Sequence, residues 1–119
     1  MVWQGTEAMQ RFKYAYQGFI ALIKKDFKFL LHCIFGLIVI FFGFVFHITQ
    51  TEWLFLILAI GLVMSFEAIN TAVEYVVDLA TDEYHLFAKH AKDIAATSVL
   101  IVSIIAAIIG LIIFIPYIL

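Results

Sequence analysis

The sequence predicts an all-α membrane protein, with an N-terminal amphipathic surface helix followed by three transmembrane helices in one domain spanning residues 1–119. Three observations predict it. Hydrophobic residues make up 66% of the chain and charged residues 13%, giving a mean hydropathy of +1.11, where a soluble domain would carry about 25% charge. Apolar stretches recur that match the ~20 residues needed to cross a bilayer core. The 7 lysines and arginines, finally, are confined to two places, before residue 29 and between 88 and 93.

Residues 5–28 supply the surface helix. Met9, Phe12, Tyr16, Phe19, Ile20, Ile23 and Phe27 recur at steps of three and four, while Arg11, Lys13, Gln17, Lys24, Lys25 and Lys28 take much of the rest. That pattern suits a helix lying in the membrane surface rather than crossing it. No secretory signal peptide is expected, because this segment lacks an unbroken apolar core followed by a small-residue cleavage site.

Residues 29–48 are apolar except for His32 and His47 and form the first transmembrane helix. Cys33, the single cysteine, can form no intrachain disulfide and reads as a packing residue. Thr49-Gln50-Thr51-Glu52 then breaks the run. The second transmembrane helix is expected over 52–80, with Thr51 as N-cap and Trp53 at headgroup level. Ala80-Thr81-Asp82-Glu83-Tyr84-His85-Leu86-Phe87 carries the polar clustering of a loop, set at 81–88. The third transmembrane helix covers 89–118, with Pro116 bending or ending its last turn.

The lysine and arginine distribution places the N-terminus and the 81–88 loop in the cytoplasm, and the C-terminus outside a bacterial plasma membrane. Three spanning helices leave little interior in a monomer. A homo-oligomer is therefore expected to close around any polar group at membrane depth.

Such groups exist. Glu67, Asn70, Glu74 and Asp78 stand at i, i+3, i+7 and i+11 and share one helical face. Glu67 lies about 21 Å beyond Trp53 at ~1.5 Å per residue, so the stripe runs from membrane depth towards the cytoplasm. Charge at that depth persists where it faces protein, water or an ion. Clustered carboxylates with few histidines suit a hard divalent cation, above all Mg2+, which commonly binds one or two carboxylates together with substrate phosphates. A neighbouring base could deprotonate a hydroxyl, the minimal apparatus of phosphoryl transfer. No Walker A or kinase-type glycine loop is present, and nothing points to nucleic acid.

Plainer readings stand beside these. Glu67 and Asn70 can be a polar contact between helices. Glu74 and Asp78 can be solvated or paired with Lys89 or Lys92. Lys92 and Asp93 can be the polar opening turn of the last helix, His85 a loop residue, His32 a packed or interfacial histidine, and Asp26 a surface partner of the lysines around it.

The run Glu67-Ala-Ile-Asn70-Thr71-Ala-Val-Glu74-Tyr-Val-Val-Asp78, followed by Tyr84-His85 and by Ala88-Lys89-His90-Ala91-Lys92-Asp93, resembles the signature of the small prokaryotic integral-membrane lipid kinases. That family includes diacylglycerol kinases and undecaprenol kinases, and the resemblance covers nearly the whole chain. It implies a homotrimer with active sites shared between protomers, ATP as co-substrate and a lipid alcohol as acceptor. By resemblance, Glu67 is the general base, Glu74 and Asp26 bind Mg2+, and Asn70 supports the base and the γ-phosphate. Asp78, Lys92 and Asp93, with Glu74 and Asp26, hold the nucleotide. The family position of Asp26 is usually Glu, one methylene longer. Arg11 sits at a different spacing from the family's early arginine, and Glu7 stands at the better-aligned position; Arg11 and His85 are lesser candidates for the site.

Trp53 after Glu52, Thr71, Thr81-Asp82 and the closing Gly110-Leu-Ile-Ile-Phe-Ile-Pro116 resemble the Gram-positive branch. Undecaprenol is therefore the expected acceptor, with diacylglycerol second. Two readings of other classes remain at this point, a proton-coupled oligomeric transporter using Glu67 and a non-catalytic assembly subunit.

Overall fold

The computed structural model describes residues 7–119. They form four helices: α1 (Glu7–Lys25), α2 (Phe27–Val45), α3 (Gln50–Ala80) and α4 (Leu86–Ile118). The last three are long and apolar enough to cross a membrane. Residues 5 and 6, expected to open the first helix, lie outside the described residues.

The break between α1 and α2 falls at Asp26, where the pattern of apolar residues had run the first helix on to Lys28. Asp26 adopts an extended backbone and its side chain accepts from the N–H of Lys28 at 2.9 Å. A carboxylate can satisfy one of the orphan donors at a helix start. Its own N–H still bonds to the Leu22 carbonyl at 2.8 Å, so a single residue closes one helix and opens the next.

α2 ends at Val45, three residues before its apolar run does. The Ile48 N–H bonds to the Gly43 carbonyl at 3.2 Å and the His47 N–H to that of Phe44 at 3.3 Å. That is the Schellman arrangement, whose turn residue sits in the left-handed region. His47 takes that place at φ 52°. The turn swings Ile48 inward, where it is buried with Leu56 and Ile113.

The N-cap of α3 is Thr49, not Thr51. Its hydroxyl accepts from the Glu52 N–H at 3.2 Å, while the Glu52 carboxylate accepts from the Thr49 N–H at 2.9 Å. Glu52 stands three residues after Thr49, which completes a capping box; Thr51 has no acid at that distance. The Tyr117 hydroxyl donates to the same Glu52 carboxylate, tying the start of α3 to the end of α4.

α2 meets α3 through glycines. A Cβ at Gly36 would lie 3.1 Å from Ile60, and one at Gly43 would lie 2.6 Å from the Trp53 ring. Small residues permit such close approach between apolar helices. The connector Thr81–His85 is shorter than the expected 81–88 loop, because His85 caps α4 through Nδ1, which accepts from the Phe87 N–H at 3.0 Å. Pro116 does not end α4, which continues to Ile118.

Candidate active site

The capping residue Asp26 brings the site together. Its second carboxylate oxygen accepts from the Thr71 hydroxyl at 2.9 Å, across to α3. One turn earlier on α3, Glu67 lies in hydrogen-bonding contact with the same carboxyl. Glu67, Asn70 and Thr71 are all buried, Glu67 to 2% exposure. Their periodicity turns them inward, towards the α1–α2 joint.

Asp26 stays ionised against the tendency of its surroundings. Partial burial pushes its carboxyl up, but hydrogen bonds from Glu67, Thr71 and the N–H groups of Lys28 and Phe29 outweigh that and hold it below the usual carboxylate range. On α2, one turn and a half past Asp26, His32 brings Nε2 to 3.8 Å from Glu67 Oε2.

Nearer the end of α3, Asp78 accepts from Lys92 Nζ at 2.8 Å, joining α3 to α4. Asp93, by contrast, faces Lys89 on its own helix at 2.6 Å. Glu74 lies between the two groups, with no ion pair to another described residue. Lys25 Nζ stands 5.2 Å over the Tyr75 ring, a cation–π contact that holds the end of α1 against α3.

The structure thus joins Asp26 to Glu67 and Thr71, and Asp78 to Lys92. Asn70 is buried beside the first group. Arg11 is an exposed residue of α1, about four turns before Asp26. His85 is engaged in capping, and Asp93 stays with Lys89. Sequence reasoning missed His32 as a neighbour of Glu67 and gave Thr71 no role. Nothing local signals either contact, since 35 and 45 residues of chain separate the partners and only helix packing unites them.

Among the described residues no three carboxylate, imidazole or thiol groups converge into a ready-made metal cluster. The donors present are nevertheless hard oxygens, in pairs and singles rather than a cage. That suits a cation that keeps waters and takes further ligands from substrate phosphates.

The profile of the prokaryotic diacylglycerol kinases matches residues 13–114. The chain belongs to that family. It is similar to the undecaprenol kinase of Bacillus subtilis, 39% identical over 105 residues that cover 88% of this chain and 85% of that one. It is also similar to the diacylglycerol kinase of Synechocystis, 37% identical over 110 residues covering 91% and 63%. The diacylglycerol kinase of Haemophilus influenzae is 34% identical over 104 residues, covering 87% and 88%. The protein is therefore a lipid kinase of the membrane, and the transporter and assembly-subunit readings fall away. The buried carboxylate on α3 belongs to an enzyme.

Proposed function

We propose that this lipid kinase transfers the γ-phosphate of ATP to undecaprenol at the cytoplasmic face of the membrane, with diacylglycerol as the second candidate acceptor. The contact that carries the reading is the one between Asp26 and the buried Glu67. It sets a base at membrane depth beside a carboxylate at the membrane surface, where a lipid hydroxyl and a water-borne nucleotide can meet. The 39% identity to an undecaprenol kinase supports the polyprenol as acceptor.

In this reading the lipid enters laterally between helices and Glu67 takes the proton from its hydroxyl. The lipid oxygen then forms a bond to the γ-phosphorus as the bond to the β-phosphate oxygen breaks, and ADP leaves. Asn70, one turn from Glu67, supports the base and the γ-phosphate. Asp26 and Glu74 would hold Mg2+, which when bound offsets the charge of the phosphate chain. Asp78, Lys92 and Asp93 hold the nucleotide; releasing Lys92 from Asp78 would free its ammonium for a phosphate.

The assembly is a homotrimer with sites shared between protomers. Its N-terminus and site are cytoplasmic, its C-terminus lies outside, and α1 rests in the membrane surface. The outward exposure of Met9, Phe12 and Tyr16 on α1 supports that last placement.

The test is transfer of labelled phosphate from Mg·ATP by purified protein in mixed micelles, with undecaprenol and diacylglycerol offered separately. Labelled polyprenyl phosphate as the main product is expected. Preference for diacylglycerol would keep the mechanism and change the acceptor.

A further inference from the structure

Glu67 is almost wholly enclosed, and the one basic side chain in ion-pair contact with it among the described residues is His32. The two come from different helices, α2 and α3, held together by the close approach at Gly36 and Gly43. The imidazole is itself two-sided. One side meets Glu67, and the other lines an apolar groove of about 790 Å³ bounded by α2, α3 and α4. The His32 side chain is 33% exposed, whereas that of Glu67 is 3% exposed, and of the two only His32 lines the groove.

We propose that His32 is a positioning residue for Glu67: its Nε2–H turns the carboxylate towards the acceptor hydroxyl. The inference rests on the reading of Glu67 as the base. At 3.8 Å the pair is beyond direct hydrogen-bond range, and closing it by about 0.8 Å makes the bond. Hydrogen bonds of catalytic groups are commonly long before substrate arrives and tighten in the loaded complex. A neutral ring suffices, because the Nε2–H tautomer already carries the donor. The other contacts around Glu67 do not replace it. The Thr71 hydroxyl donates to Asp26 and to the Glu67 backbone carbonyl, not to the Glu67 carboxylate. Asp26, which accepts from Glu67 while that carboxyl keeps its proton, can only accept when ionised and so cannot orient Glu67 as a bare carboxylate.

The role differs from simple packing in what a substitution changes. A side chain that only fills space would be replaced by leucine with little kinetic effect. A donor that aims the base would be restored by glutamine, whose amide nitrogen reaches about as far as Nε2, but not by leucine.

The experiment compares His32→Leu, His32→Gln, Glu67→Gln and the double variant Glu67→Gln/His32→Leu in the micelle assay. Oligomer size and thermal unfolding are followed in detergent for each. His32→Leu is expected to lower kcat roughly 10- to 100-fold with the KM for ATP and lipid little changed, the size of effect a displaced catalytic group can produce. His32→Gln should recover most of that loss, and the double variant should be no worse than Glu67→Gln alone. The proposal is overturned if His32→Leu keeps wild-type kcat while Glu67→Gln is inactive. It is also overturned if both His32 variants lose activity and stability in parallel, which marks a structural residue. Full activity of Glu67→Gln would instead refute the base assignment, and the positioning role with it.

Discussion

Glu67 is buried to 2% exposure yet has a carboxylate neighbour on one side and an imidazole on the other, an arrangement of little use to a packing residue. Replacing it by Gln keeps the shape and removes the basic oxygen. Turnover should fall by about 10²- to 10⁴-fold with the helix content intact, as activity and circular dichroism together would show. Asp26 gives a pH signature. Its folded-state pKa lies below the ordinary 3.8, so its stabilising contribution is present above that value and is lost as pH falls through the lower folded pKa. Acid titration of unfolding without divalent cations should therefore show a destabilising limb in that range, and Asp26→Asn should flatten it. The residue types at these positions were legible in the sequence, because a stripe of three carboxylates and an amide on one helical face is rare in apolar surroundings. Their mates were not. Thr71 and His32 depend on how α2 lies across α3, and that angle is set by packing rather than by any local pattern.

Among the elements, helix type could be read from the sequence while three helix ends could not. Asp26, Thr49 and His47 each decide a boundary through a hydrogen bond to a specific partner, two to three residues before the place where the sequence pattern puts it. His47 is the clearest case, since a left-handed residue inside an apolar run gives no compositional sign. A side chain other than Gly there costs about 1–2 kcal/mol. His47→Gly should recover up to about 1 kcal/mol in detergent unfolding, the relief of the left-handed strain exceeding the added chain freedom of Gly. Gly43 acts in the opposite sense. A methyl group placed 2.6 Å from the Trp53 ring must push α2 from α3, and Gly43→Ala should cost about 1–3 kcal/mol. The same measurement checks both.

At the scale of the whole molecule, a single chain leaves large apolar side chains such as Phe35, Leu37 and Ile112 outward, suited to lipid or to neighbouring copies. The proposed sharing of sites between protomers has a direct check. Glu67→Gln and Lys92→Met chains, each inactive alone, should regain a measurable fraction of activity when co-assembled, and mixtures that stay inactive would confine each site to one protomer.

The two ends of the α3–α4 pair are built differently. At one end Thr49, Glu52 and Tyr117 form a closed set of hydrogen bonds above buried Ile48, Leu56 and Ile113. At the other, Asp78 and Lys92 meet across exposed side chains. Any divergence of the pair would therefore pivot at the Glu52 end. From Glu52 to Asp78 is about 39 Å of helix, so a pivot of ~1° there moves the far tip by ~0.7 Å. A pivot of ~10° would part Asp78 from Lys92 by ~7 Å while both helices stay straight.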